Sequence, residues 1–330
     1  MSSKTYQVTL RTLGPVHIGT GTTLTKQEYI FDKNNKLIHI VNGRKLVNYL
    51  KRNNKLEDYI QFFSKPEQQT NLGSFLQENE IIEDDWDQFV QYSVPIIYEE
   101  SQKVNAISPF MRDGLNTAFI PGSSLKGALR TILAGELRDR ETNLLFKNIR
   151  ISDSEPLDDQ QLVIYQKIDV NKKVKPIPLF RECINANEKV TTLLTIENDA
   201  ITIEEIEAKI SEHYDHYRTK WLDGFKSLKG GASFFEQEDE ATQKLFEDDA
   251  RIILLGGGVG LASKTIHYQK YDRETAREHL FELLQRRSRH IYGKFDVIPN
   301  NVPIALKLTK SNETNQWFMF GACEITFEEI

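Results

Sequence analysis

The chain has 330 residues, of which 39% are hydrophobic, 27% charged and 10% aromatic; that is one large domain or about two ordinary ones, and it excludes wholesale disorder. The longest uncharged apolar run, Ile252 to Ala262, is far shorter than the ~20 residues that cross a bilayer. Cys183 and Cys323 are the only cysteines, which excludes a disulfide framework and a clustered zinc site, and the formal net charge of -6 weighs against an evenly basic surface.

Lys4 to Leu13 alternates, with Tyr6, Val8 and Leu10 against Gln7, Thr9 and Arg11, and is expected to be a half-buried strand. It breaks at Gly14-Pro15 into Val16-His17-Ile18-Gly19-Thr20-Gly21. Tyr29 to Phe31 and Leu37 to Val41 form a hairpin around a polar loop that contains Asp32. Residues 42–102 read as short helical pieces carrying an acidic run, with strands near Val94 to Tyr98 and Thr117 to Ile120. A helix opens at Ser123-Ser124, which cap it, and runs to about Arg140 through Leu125, Leu129, Ile132, Leu133 and Leu137. Strands follow at Ile149 to Ser152, Leu162 to Ile168, Ile177 to Cys183 and Thr191 to Glu197. Thr202 with Glu205 is a capping box for a helix through Tyr217. A short strand, Arg251 to Leu255, leads into Gly256-Gly257-Gly258-Val259-Gly260. Asp272 caps a last helix carrying Ala276, Leu280, Leu283, Leu284 and Ile291, before strands near Pro303 to Leu308 and Trp317 to Phe327. The mixture predicts an α+β fold, with two β-α-β-β-α-β units.

Charge is segregated along the chain. Leu76 to Glu100 holds eight acidic and no basic residues, and Phe235 to Asp249 seven acidic and one basic, whereas Ile164 to Arg181 holds five basic and one acidic. A basic face can therefore coexist with an acidic total. The acidic runs 78–87 and 236–249 are expected to face solvent or a protein partner, away from Lys126 and Lys264.

Three segments could carry chemistry. In Pro121-Gly122-Ser123-Ser124-Leu125-Lys126-Gly127 a tight turn opens a helix whose free N–H groups, with Lys126 and Arg130, make a phosphate seat. The glycine cluster, followed by Ser263-Lys264-Thr265, differs from a Walker A loop because Ser263 replaces its last glycine. The residues Ile266-His267-Tyr268 look extended, and a P-loop would need a helix there, so nucleotide hydrolysis is not expected. A loop lying against RNA or a neighbouring subunit fits better. His17, between Val16 and Ile18, reads as a structural histidine rather than an acid or base.

Taken together, His17-Ile18-Gly19-x-Gly21, Ile120-Pro121-Gly122-Ser123-Ser124-Leu125-Lys126-Gly127 and the late glycine-rich loop resemble the RAMP superfamily of CRISPR-associated proteins. Ile151-Ser152-Asp153-Ser154 and Phe180-Arg181-Glu182 resemble stretches of the same superfamily, and the likeness runs from about Tyr6 to Thr265. The length, the long acidic helical insert and Gly-Gly-Gly-Val-Gly-Leu-Ala look most like the Csm subunit at the crRNA 3′ end of type III-A effector complexes.

The resemblance implies two ferredoxin-like (RRM-type) domains. The first spans 1–148 with its helical insertion at 42–102, and the second spans 149–330 with the glycine-rich loop at 256–260, strands being exchangeable between the halves. It implies a cytoplasmic, non-catalytic subunit that holds the 3′ part of the crRNA and is required for its maturation. The expected partners are crRNA, the other Csm subunits, especially the repeated backbone RAMP subunit, and a host nuclease; no membrane, cofactor or metal is expected. The RNA-binding residues are then Gly19, Gly21, Ser123, Ser124, Lys126, Arg130, Gly256, Gly257, Gly258, Gly260, Ser263 and Lys264. No aromatic run of the RRM kind is present, so contact should run through phosphates, loops and helix ends. The backbone subunit cuts target RNA with a loop aspartate, but Asp32 lies in different surroundings and that role is not carried over. The rival expectation is a metal-independent endoribonuclease that processes crRNA itself, with His17 or Lys126 as its acid, base or charge-stabilising group.

Overall fold

Period-two alternation sets the first strand. In β1 (Ser3–Thr12) Tyr6, Val8, Leu10 and Thr12 are buried while Gln7 faces solvent, because successive side chains point to opposite faces. The computed structural model describes residues 3–64, 70–100, 103–135, 139–311 and 314–330. The expected hairpin is present as β2 (Tyr29–Asp32) and β3 (Leu37–Val41). Asp32 accepts from the backbone N–H groups of Asn34 and Asn35 at 2.9 and 3.0 Å, so its carboxylate is spent on shaping the turn.

The helical insertion consists of α1 (Gly43–Arg52), α2 (Leu56–Phe63) and α3 (Leu72–Glu78), followed by a 3₁₀ turn over the acidic Glu83–Gln88. Leu46, Leu50, Phe62, Phe75 and Phe89 give it a small core of its own. The helical reading to 102 is too long at its end: β4 (Val90–Ile97) already pairs with β3 there, and Gln102 lies outside the described residues. The strand expected at Thr117 to Ile120 is reduced to isolated bridges of Ala118 with Arg112 and Leu157.

After β5 (Ile107–Ser108) come α4 (Gly122–Ala134), α5 (Asp139–Lys147), β6 (Ile149–Ile151), β7 (Leu162–Val170), β8 (Val174–Ile184), β9 (Lys189–Glu197) and α6 (Ile203–Lys220). The chain continues with α7 (Ala232–Phe235), α8 (Glu240–Phe246), β10 (Ile252–Leu254), α9 (His267–Lys270), α10 (Arg273–Arg287), α11 (Arg289–Tyr292), β11 (Leu306–Lys310), β12 (Trp317–Met319) and β13 (Ala322–Glu329).

The capping box at α6 forms as expected, Glu205 N–H donating to Thr202 at 3.2 Å and Thr202 N–H to Glu205 at 2.8 Å. Two helices are shorter than periodicity suggests. α4 stops at Ala134 because Gly135 takes φ 33° and ψ -112°; Arg140 belongs to α5, and Leu137 lies outside the described residues. The last helix breaks at Ser288 (φ -137°, ψ 50°), which leaves Ile291 exposed on α11.

Among the described residues the strands form two sheets. One runs β10-β13-β1-β9-β6 and is antiparallel throughout. The other runs β12-β11-β7-β4-β3-β2, with β8 and β5 branching from β7. Both draw strands from either side of residue 148. α4 buries Leu125, Leu129, Ile132 and Leu133, and α6 buries Ile206 and Ile210, in one core with Val8, Leu10, Leu194 and Ile325 of the first sheet. A second core gathers Tyr214, Tyr217, Trp221, Phe225, Tyr268 and Leu280 toward the C-terminal half. The fold is mixed α+β. Among the described residues no helix is long and apolar enough to cross a membrane.

Candidate nucleic-acid interface

The start of α4 is held from outside the helix. Pro121 is its N-cap residue, with no side-chain cap, so Ser123 and Ser124 lie inside the first turn rather than capping it. The cap comes from Asp153, whose carboxylate accepts the Gly122 N–H at 2.8 Å. Ser154 reinforces it, taking the Ile120 N–H on its hydroxyl and donating its own N–H to Ile120 O, both at 2.9 Å. A Cβ at Gly122 would stand 2.3 Å from Ile151 O and 2.5 Å from Ser152 O, so only glycine fits this approach. The two stretches read separately in the sequence are thus one structural unit. The positive helix end expected to seat a phosphate is already met by a carboxylate.

Lys126 and Arg130 turn away from that end. Lys126 Nζ donates to Ile149 O at 2.6 Å and Arg130 to Asn143 Oδ1 at 2.6 Å, both beside the Phe146 ring. The opposite face of α4, carrying Ser123, Ser124, Gly127 and Thr131, borders a cavity of about 320 Å³. Its other walls are His213, Tyr214 and Tyr217 of α6, the exit of β10 through Gly256, and Ser263 with Lys264. Five of the sequence-derived residues (Ser123, Ser124, Gly256, Ser263 and Lys264) therefore meet, although about 130 residues separate the two segments. The wall from α6 was not read from the sequence. His213 and Tyr214 look there like ordinary core positions of an amphipathic helix, and only the packing of α6 on α4 shows their second role.

The glycine-rich loop lies first of all against its own chain. Gly257 N–H donates to His17 O at 2.7 Å, and a Cβ at Gly256, whose φ is 83°, would stand 2.1 Å from that oxygen. Cβ atoms at Gly19 and Gly257 would meet the imidazole itself at 2.7 and 2.8 Å. Gly258 (φ 94°) rests on Phe320 and Gly260 (φ 88°) on Lys307. Ser263 is buried, its hydroxyl turned back to Gly260 O at 3.2 Å. Gly21, at φ 84°, has open space beside it. Ala262–Lys264 is a single 3₁₀ turn. The following segment, expected to be extended, is the helical turn α9. Thr265 Oγ1 accepts the His267 N–H at 3.2 Å, and Lys220 Nζ donates to the carbonyls of Tyr268 and Tyr271 at 2.8 and 2.9 Å, holding both its ends.

His17 is 4% exposed. Its Nδ1 donates to Glu182 O at 2.7 Å, which fixes the tautomer. Burial pushes its pKa down from 6.5 to about 4, and the charges of Arg181 and Lys264 push the same way. The Glu182 side chain is buried as well, accepting from Arg112 at 2.7 Å, Phe110 N–H at 2.8 Å and the Tyr92 hydroxyl at 3.2 Å. Phe180-Arg181-Glu182 thus supplies a structural anchor in Glu182 and a cation, Arg181, beside the loop. Lys264 is exposed, yet partial desolvation of its ammonium and the charge of the neighbouring Arg181 lower its pKa.

An α+β chain built around a Pro-Gly-Ser-Ser-Leu-Lys-Gly helix start, a His-Ile-Gly strand end and a glycine-rich loop packed on each other is the arrangement of one family. The sequence pattern of the RAMP superfamily matches residues 9–285, and the chain belongs to that superfamily. More narrowly, it is 39% identical to the CRISPR system Cms protein Csm5 of Enterococcus italicus over 349 aligned positions, covering 100% of this chain and 99% of that protein. It is 30% identical to the Csm5 of Streptococcus thermophilus, over 81% of each chain. Among solved structures it superposes on a chain of a Csm-crRNA-target RNA ternary complex of a type III-A CRISPR-Cas system with TM-score 0.70, at 17% identity, covering 97% of this chain and 100% of that one. It superposes on T. onnurineus Csm5 with TM-score 0.57, at 18% identity and 82% and 96% coverage.

Proposed function

We propose that this chain is an RNA-binding subunit of a type III-A CRISPR effector complex that holds the 3′ part of the crRNA beside the repeated backbone subunit. In this reading it is required for crRNA maturation and performs no chemistry itself, the trimming being left to a host nuclease. The observation that carries the reading is the meeting of the α4 face, Gly256 and Lys264 on one crevice, in a chain similar over its full length to Csm5 proteins. Loops and helix faces of this kind offer N–H donors, hydroxyls and a cation to a sugar-phosphate backbone without reading sequence.

The strand order supports a ferredoxin-like unit in the first sheet. β1, α4, β6, β9, α6 and β13 run β-α-β-β-α-β, with the spatial order β13-β1-β9-β6 and β10 added at the edge. We read the eight-stranded sheet as built on a second unit, so that the halves 1–148 and 149–330 exchange strands.

The endoribonuclease reading needs a group free to take or give a proton at a 2′-OH. His17 is neutral, walled in by Gly19 and Gly257, and Lys126 is bound to Ile149 O; both serve structure. The test is incubation of the purified chain with labelled crRNA precursor, with and without EDTA. The RNA-binding reading expects a salt-dependent complex and intact RNA. Cleavage in EDTA that His17→Ala abolishes would replace it with the endoribonuclease reading.

A further inference from the structure

The glycine-rich loop covers one face of the eight-stranded sheet, and that face carries charge. Across β7, β8 and β11 the register sets Asp169 opposite Lys307 and Tyr165 opposite Arg181, so alternation brings Lys167, Asp169, Arg181 and Lys307 to the same side. Lys307 Nζ and Lys167 Nζ both reach a single oxygen of Asp169, at 2.8 and 3.2 Å. Arg181 has no ion-pair partner among the described residues, and its Nη1 is buried without a hydrogen-bond acceptor. Desolvation lowers the pKa of Lys167 and Lys264, and the Arg181 charge adds to the lowering at both, with Lys307 contributing at Lys167. A Cβ at Gly260 would stand 3.5 Å from Lys307 Cγ, which places the loop at the edge of this group.

Three partly buried cations thus share this face with one carboxylate, which pairs with only two of them, and the exposed Lys264 lies near Arg181 at their edge. A buried guanidinium N–H without an acceptor costs free energy unless something supplies one. A lone Lys–Asp–Lys bridge would account for Lys167 and Lys307 but not for Arg181. Phosphodiester oxygens fit the whole set, since Arg offers a planar fork and the lysines offer point charges to the same anion.

We propose that Arg181, Lys167 and Lys307, with Lys264 at their edge, seat backbone phosphates of single-stranded RNA beside the glycine-rich loop. The proposal rests on the RNA-binding reading and extends it to three residues on the sheet face, on the far side of Lys264 from the α4 crevice. Asp169 holds the two lysines in place and competes with the incoming phosphate.

The test measures binding of a labelled single-stranded crRNA fragment to the full chain at several salt concentrations. The variant Lys167→Gln/Arg181→Gln/Lys307→Gln should bind more weakly, and its salt slope should be shallower by about 0.7 for each phosphate no longer neutralised. Should that variant fold poorly, Asp169→Asn reads the seat in the opposite direction: removing the competing carboxylate should tighten RNA binding roughly two- to fivefold at low salt. Inorganic tripolyphosphate separates the seat from the RNA reading. It should raise the wild-type melting temperature and leave that of the triple variant unchanged, even if the wild-type chain were to bind no RNA, in which case the RNA reading alone would fall. An unchanged salt slope in a folded triple variant overturns the proposal, and so does unchanged affinity in Asp169→Asn. A triple variant that keeps its RNA slope but no longer assembles with other subunits would assign the surface to a protein partner and overturn it too.

Discussion

His17 gives the sharpest test of how the three glycine-rich segments are held together. Its folded pKa of about 4 lies below the ordinary 6.5 because burial penalises the imidazolium. The unfolded chain therefore takes up a proton as pH falls below 6.5 while the folded chain does not. Stability from this residue is complete above pH 6.5 and is lost as the pH drops toward 4. At 1.36 kcal/mol per pH unit the gap is worth about 3 kcal/mol, of which roughly 2 kcal/mol disappears between pH 7 and pH 4.5. His17→Asn keeps a donor for Glu182 O and cannot titrate. Urea unfolding of both proteins across that range isolates the residue, since the other histidines and the carboxylates cancel in the difference. The wild type should lose about 2 kcal/mol more than the variant, and the His17 ring proton should titrate near pH 4 by NMR. Parallel stability profiles, or a ring titrating near 6.5, would refute the picture of an imidazole sealed between Gly19 and Gly257.

Other outcomes follow from the same packing. Gly256→Ala puts a Cβ against His17 O at a positive φ, so it should cost at least about 2 kcal/mol in urea unfolding and weaken RNA binding with it. Glu182→Ala removes one of the two carboxylates that hold Arg112, leaving Asp159, and takes the acceptor from the buried Phe110 N–H; it should cost about 2–3 kcal/mol, measured by thermal or urea unfolding. Lys126→Ala removes a charge-assisted bond to Ile149 O and should cost about 1–2 kcal/mol while leaving the salt slope of RNA binding unchanged, whereas Lys264→Ala should flatten that slope by about 0.7. Replacing Glu83, Asp84, Asp85 and Asp87 by Gln or Asn should leave RNA affinity unchanged or slightly raised in a filter-binding assay, since salt screens charges beyond ~8–10 Å.

Elements whose signals are local were legible in the sequence. The β1 alternation, the polar hairpin loop and the Thr202/Glu205 box each act over a few residues, and each stands in the structure as expected. What failed depended on distant partners. Ser123 and Ser124 read as caps because serine favours that position, yet Asp153, some thirty residues later, takes the role. Lys126 and Arg130 read as phosphate ligands because they open a helix, yet the helical spacing sets them off the Ser123–Gly127 face, and α5 and β6 supply their partners. The glycine loop was recognisable as a place of close approach. That the approaching group is the His17 backbone required the tertiary fold.

The pairing of β1 with β13, Tyr6 opposite Glu329 and Thr12 opposite Cys323, bears on how the protein is made. Residues 3–12 leave the ribosome early and must wait for residues 322–329 before their sheet can close. Until then β1 keeps one edge unpaired, and pairing of such high sequence separation is slow to form. The crevice on α4 and the loop that follows β10 are finished only when that last strand arrives, since β13 also carries β10. Until residues 322–329 have been made, the α4 crevice and the loop after β10 should therefore stay unorganised.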